Sequence, residues 1–245
     1  MYSRGKEKTW KFFVMLCGLL MIALPIAIGV FLAVKGNALF FQYHHSLWEF
    51  LFTTTWKLKD NLTGGGQAGA AVFIVGSLIV CGLALLIAVP FSLAAAIFMT
   101  EIAPKAGNRI LRPAVEIFVG IPSVVYGWIG MTVLVPAIQQ LFHLKTGRSV
   151  LAGGIVLAIM IFPSITTVAA DAIRAVPVSA RMAAYGLGAT RWQVIHQIVL
   201  PAAKTSVLTG VILGLARAFG EALAVAMVIG KTPASRRGSS GRQRR

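Results

Sequence analysis

The sequence predicts an all-α membrane protein, a polytopic helical bundle in which five spans are visible. Two observations carry this. Of 245 residues, 57% are hydrophobic and only 12% charged, with a mean hydropathy of +0.81. Soluble domains carry about 25% charged residues, and half of that cannot cover a surface facing water. The apolar residues also fall in continuous runs long enough to cross a bilayer, which takes roughly 20 residues of helix. The runs lack the alternation of a membrane barrel, and helices satisfy their own backbone hydrogen bonds inside lipid.

Residues 1–9 form a basic tail and residues 10–34 the first span. A basic start before an apolar run resembles a signal peptide, but this run exceeds the roughly 7–15 residues of a signal core and no clean small-x-small site follows. It reads as a retained helix. An external segment, 35–70, contains Trp48 and Trp56, residue types that anchor at headgroups. Further spans are expected at 71–99, 114–142, 150–170 and 206–229. Pro25, Pro90, Pro122, Pro136 and Pro163 fall inside four of the five spans, where neighbouring helices can satisfy the carbonyls they free. Gly82, Gly120, Gly127, Gly130 and Gly214 would allow close helix packing.

Orientation follows from lysine and arginine. Arg4, Lys6, Lys8 and Lys11, then Lys105, Arg109 and Arg112, then Arg174, Arg181, Arg191 and Lys204 share one side. Lys35, Lys57, Lys59, Lys145 and Arg148 occupy the other. The richer side is cytoplasmic, which places the N-terminus inside. Residues 231–245, "KTPASRRGSSGRQRR", break the pattern: six basic residues stand on the outer side where a sixth span is expected. This tail reads as a truncated or frame-shifted end.

The net charge of +16 invites a nucleic-acid reading, but the basic residues are scattered between apolar runs without a basic face or zinc-finger spacing. No nucleic-acid partner is expected. Cys17 and Cys81 lie in apolar runs as small hydrophobes. His44 and His45 diverge as neighbours and have no further ligand nearby, so no metal site is expected. "GKT" at 230–232 is no phosphate loop, because Val225 stands where Gly-x4-Gly-Lys-Thr requires glycine.

The inside loop, 171–205, is the most patterned segment. Pro177 is placed to start a helix, which would stop near Gly186 or Gly188, where glycine accepts the left-handed cap. Thr190 then opens a second helix with Gln193 completing a capping box. Trp192, Ile195, Ile198 and Val199 recur at helical spacing and Pro201 would end the run. A helix, glycine elbow and amphipathic helix result. Such an element either rests on the membrane surface or docks a cytoplasmic partner.

"AAYGLGATRWQVIHQIVLP" resembles the cytoplasmic EAA loop of ABC importer permeases. With "LLIAVPFSLAAAIFMTE", "IPSVVYG", "LAGGIVLAIMIFP" and "GLARAFGEALAVAMVIG", it makes residues 73–230 similar to phosphate permeases of the PstC type, close also to the PstA type. The resemblance implies a type I ABC importer permease fold and a coupling loop that uses Arg181, Met182, Ala183, Ala184, Gly186, Gly188, Thr190 and Trp192. It implies a second permease of the PstA type, two cytoplasmic ATPase subunits and an external phosphate-binding protein, which the 35–70 segment could contact. The chain would be a non-catalytic subunit of the bacterial inner membrane without a bound cofactor, ATP and Mg being used by the ATPase partner. Met182 departs from the pattern, standing where the loop usually has glutamate. The expected last span is also missing.

Within the final span, Arg217 and Glu221 are four residues apart, which on a helix puts them on one face. An arginine at bilayer depth costs about 2.5–3.5 kcal/mol on insertion scales and marks a pathway or an ion pair. A guanidinium fork suits phosphate oxygens, and a carboxylate can accept from a phosphate hydroxyl that sulfate lacks. Ser123 and Tyr126, beside a proline-interrupted turn, are further pathway candidates. Asp171 and Arg174 form a surface pair. The function expected is phosphate import driven by an ATPase partner. Alternatives are a permease for molybdate or sulfate, or an ion-coupled secondary carrier.

Overall fold

The structure, a computed structural model, describes residues 4–41, 46–57 and 67–229. His44 and His45, residues 230–232 and the 231–245 tail lie outside the described residues. The chain divides into two compact units, Met1–Ile74 and Val75–Arg245.

In the first unit, α1 runs over Arg4–Phe41 with Pro25 inside it. It outruns the expected 10–34 at both ends, because neither the basic tail nor Lys35-Gly36-Asn37 holds a proline that would stop it. The short α2, Leu47–Phe52, stacks Trp48 on Phe52 at a ring separation of 5.3 Å. A two-residue antiparallel ladder, β1 (Trp56–Lys57) with β2 (Gln67–Ala68), pairs Trp56 with Ala68 and Lys57 with Gln67. The apolar pattern gave no sign of it. Gly69 closes this turn against Thr53: a Cβ there would meet the Thr53 carbonyl oxygen at 1.9 Å.

The second unit is built around α8, Val150–Arg174. Its buried side chains run through three apolar clusters. Leu157, Ala158, Ile161 and Ile165 pack on Val80, Cys81, Ala84 and Ala88 of α3 (Ala71–Ile97) and on Ala218 of α11 (Leu200–Gly220). Ala152, Val156 and Met160 meet Tyr126 of α6 (Ser123–Ile129), Ile138 of α7 (Val135–Leu141), and Ala224 and Val228 of α12 (Ala222–Ile229). Ala169, Ala170 and Ile173 pack below Val194 and Val199. Small residues let the backbones close up, as expected where lipid offers no competing hydrophobic drive. A Cβ on Gly127 would stand 3.0 Å from the Ala224 Cα, and one on Gly214 2.6 Å from Ile165 Cγ1. Gly130 is equally tight against Val156, whereas Gly82 and Gly120 face open space, contrary to expectation.

Among the described residues five helices are long and apolar enough to span a membrane: Thr9–Asn37, Ala71–Ile102, Ser123–Leu141, Val150–Arg174 and Arg191–Gly220. Two expected spans are broken. The 114–142 run divides into α5 (Arg112–Gly120) and α6, because Pro122 forces Ile121 into an extended conformation, φ −72° and ψ 127°. The 206–229 run divides at Glu221 into α11 and α12. The fourth span runs past residue 170 to Arg174.

Among the described residues four π turns interrupt or end helices: Phe98–Ile102, Gly107–Leu111, Gly130–Leu134 and Ile195–Val199. They end two residues before Pro104, Pro113, Pro136 and Pro201 respectively. The residue four before each proline, whose carbonyl the ring would strike, is the middle residue of the turn: Thr100, Arg109, Thr132 and Gln197. Widening the turn hands the hydrogen bonds on by one residue, so Leu200 N–H reaches Ile195 O. Pro201 therefore does not end the second arm of the elbow as expected. The helix continues from α10 (Arg191–Val194) through the π turn into α11, unbroken to Gly220.

Candidate functional site

Arg217 lies on α11, and its Nη1 donates to Ser164 Oγ of α8 at 2.7 Å. Both residues are half-buried, and Ser164 falls midway along the 25-residue α8. The neighbourhood of Pro163 is rich in hydroxyls. Ser92, wholly buried, donates to Phe162 O at 3.0 Å, and Thr166 donates to the same carbonyl at 2.7 Å. Thr167 donates to Pro163 O at 2.9 Å. A polar band thus crosses an apolar bundle at the level where Arg217 enters it.

Glu221 lies at the end of the helix that carries Arg217 rather than inside a continuous one, as the sequence expectation had it. It occupies the break, with φ −87° and ψ 72°, and its N–H reaches only Ala218 O, three residues back, at 3.3 Å. Gly220 is a weak helix former, and packing of α12 on α6 and α8 fixes the new direction. No ion pair joins Arg217 to Glu221, and the Glu221 carboxylate has no partner among the described residues. Sequence reasoning missed Ser164, whose only local signal is the hydroxyl-rich stretch "PSITT" after Pro163.

Tyr126 is buried, and its hydroxyl donates to Phe118 O at 2.8 Å. It spans the Pro122 break and gives a second donor to Phe118 O, which also accepts from Ile121 N–H at 3.4 Å. Ser123 starts α6, half-buried. The structure thus joins Arg217 to Ser164, while Tyr126 bonds to the end of α5.

The elbow forms largely as expected. After Pro177, α9 covers Val178–Gly186. Of the two candidate glycines it is Gly188 that takes the left-handed conformation, φ 81°, and Ala189 N–H returns to Ala184 O at 3.1 Å. Thr190 and Gln193 form the capping box. Ala184 is buried, while Met182, Ala183, Gly186, Gly188, Thr190 and Trp192 are exposed. Val178, Met182 and Tyr185, at i, i+4 and i+7, set an apolar stripe facing outward, beside an elbow Leu187 that is 90% exposed. The stripe expected on the second arm is corrected in one member. Trp192 points out and stacks on His196 at 6.2 Å, and Val194 joins Ile195 and Val199 inside.

An unforeseen carboxylate holds this elbow from within. Glu101, 8% exposed in the π turn after α3, accepts from Arg181 Nη1 of α9 at 2.6 Å. Arg181 Nη2 donates to Ile173 O at the end of α8, also at 2.6 Å, where a cation is favoured. The Glu101 backbone carbonyl accepts from Arg191 Nη2 of the second arm. Arg181 Nε, buried, has no partner among the described residues. Asp171 and Arg174 pair at 3.2 Å at an exposed helix end as expected, with Arg174 also donating to Asn108 Oδ1 at 2.7 Å. No metal-binding group occurs among the described residues.

A multi-pass bundle with broken spans, an arginine inside it, a carboxylate at one break and a capped helical elbow defines a transporter permease subunit. Residues 88–245 match the binding-protein-dependent transport system inner membrane component, and the chain belongs to that family. It is 52% identical over 216 residues to the probable ABC transporter permease protein YqgH of Bacillus subtilis, covering 88% of this chain and 69% of that one. It is 38% identical over 226 residues to the phosphate transport system permease protein PstC of Pasteurella multocida, covering 84% and 70%. The corresponding protein of Haemophilus influenzae is 37% identical over 205 residues, covering 75% and 63%.

Proposed function

We propose that this chain is a permease subunit of an ATP-driven phosphate importer, forming the pathway for inorganic phosphate with a second permease of the PstA type. The observation that carries this is the Arg217–Ser164 contact. An arginine within the bundle normally meets a carboxylate or a water-filled path. Here its partner is a neutral hydroxyl, so the positive charge is not cancelled and can be shared with an anion. The names of the PstC relatives point to phosphate. The Glu221 carboxylate, without a partner among the described residues, is suited to accept from a protonated phosphate, which favours phosphate over sulfate.

The chain has no ATP site of its own in this reading. The outward stripe of α9 and the exposed Leu187 and Trp192 receive one of two ATPase subunits, which use ATP and Mg. An external binding protein delivers the anion. The elbow faces the cytoplasm with the N-terminus, and the apolar Met182 contributes surface to the dock in place of charge.

The test is phosphate uptake by cells lacking their own permease of this kind, expressing this chain with its permease and ATPase partners and with sulfate as competitor. Phosphate uptake that sulfate leaves alone, and that Arg217→Ala abolishes, is the expected result. Uptake indifferent to Arg217→Ala overturns the site. A Glu221→Gln transporter that discriminates against sulfate as well as wild type removes the carboxylate's role.

A further inference from the structure

We infer that Glu101 is a positioning residue that locks the docking helix α9 to the ends of α3 and α8, so that these three move as one body when the ATPase displaces the elbow. The inference rests on the reading of α9 as the ATPase dock and deepens it.

The geometry is a three-way junction. Glu101 belongs to the π turn that continues α3, Arg181 to α9 and Ile173 to the last turn of α8. The Arg181 fork ties the other two at its tips, both at 2.6 Å. Its contact with the carboxylate is end-on, because Nε is not engaged. Arg191 holds the carbonyl of the same Glu101, so the two arms of the elbow converge on one residue, 80 and 90 positions away in the chain. Glu101 is 8% exposed and the Arg181 side chain 18%. A pair so sheltered is poorly screened, and either member alone would leave a charge stranded.

Packing sets the direction of transmission. Beneath the pair lie Ala96 of α3, Met99 of the π turn that continues it, Ala169 and Ile173 of α8, and Ala184 of α9, all buried in one cluster. The outward face of α9 carries the exposed Val178, Met182 and Tyr185. A push on that face meets small, tightly packed residues and a charge pair behind them, and nothing in the junction can slide without breaking the 2.6 Å contacts. A surface pair of the Asp171–Arg174 kind, exposed and local, would not serve.

The experiment uses the assembled transporter in lipid with spin labels at Leu187→Cys, on the elbow, and Ile79→Cys, about 33 Å along α3 from Glu101, after replacing Cys17 and Cys81. The label distance is read without nucleotide and after trapping with ADP and vanadate. We expect one narrow distance common to both states in wild type, and loss of that shared distance in Glu101→Gln. A wild-type distance that changes between the states overturns the inference, as does a Glu101→Gln distance that stays single and unmoved. Should Glu101→Gln fail to assemble, Arg181→Lys keeps the charge but gives up one of the two tips, and is read in the same way.

A second readout separates locking from mere stability. Uptake of phosphate per ATP hydrolysed is expected to fall about two- to thirtyfold in Glu101→Gln, the range for residues that carry coupling, while hydrolysis itself persists. Arg181→Gln combined with Glu101→Gln should lose no more than either alone. An unchanged ratio counts against the lock. If wild type takes up no phosphate, the substrate assignment has failed, and the distance measurement still decides this inference.

Discussion

Arg217 and Ser164, 53 positions apart in the chain, are joined by a 2.7 Å hydrogen bond between the guanidinium and a hydroxyl halfway along the central helix. The serine fixes where the charge points without neutralising it. Ser164→Ala is expected to release the guanidinium and raise the phosphate concentration for half-maximal uptake by about five- to tenfold, matching the ~1–1.4 kcal/mol of one such bond. Ser164→Thr keeps the hydroxyl and should stay near wild type. Concentration-dependent uptake measures both, and an unaltered Ser164→Ala would mean the bond does not orient Arg217.

Tight backbone approach makes a sharper prediction about stability. A Cβ at Gly107 would stand 2.5 Å from the Met99 Cα, whereas one at Gly82 meets nothing within 4 Å. Gly107→Ala should destabilise by about 1–3 kcal/mol, because backbone cannot yield as a flexible side chain can. Gly82→Ala should be neutral or stabilising by up to ~1 kcal/mol, from helix propensity alone. Thermal unfolding of the purified protein in detergent compares the two.

The elbow depends on one left-handed residue and one cap. Gly188→Ala places a side chain at φ 81°, at a cost of about 1–2 kcal/mol. Thr190→Ala removes the acceptor for the Gln193 N–H and costs about 1 kcal/mol. Hydrogen exchange of the amides of residues 191–194 should quicken in both. Exchange as slow as in wild type would show that packing of Val194 and Ile195 alone holds the arm.

Pro201 is expected to be the cause of the π turn before it. In Pro201→Ala the ring clash disappears and a hydrogen-bond donor returns at that position. Leu200 N–H should then bond to His196 O, four residues back, instead of Ile195 O, which a structure of the variant would reveal. Retention of the π turn would assign it to the buried Ile195 and Val199 instead.

These cases also mark what could be read from the sequence. Pro177, Gly188, Thr190 and Gln193 act through bonds within a few residues, so their spacing was sufficient to foretell the elbow. Pro90, Pro122, Pro163 and Pro201 look alike in an apolar run, yet one breaks its helix, one follows a widened turn and two are absorbed. The outcome depends on what packs alongside, as it does at Gly220 and Glu221. Ser164 and Glu101 bond to residues 53 and 80 positions away, distances at which no local pattern operates. Arg217 was legible because charge is rare in such a run, but its partner was not.

The π turns have a further consequence for how such a chain can change in length. Each holds one residue more than an α-turn would need, and each residue rotates the helix by about 100°. The segments beyond Gly107–Leu111, Gly130–Leu134 and Ile195–Val199 are therefore already out of phase with the helix leading in. Loss of one residue together with the proline it serves would restore a regular helix and turn everything downstream onto a different face. At the last turn that rotation would carry α11, and Arg217 with it, away from Ser164. The register from α10 to Arg217 thus acts as a setting that a single-residue deletion in the Ile195–Val199 turn would misalign, even with every side chain of the polar band intact.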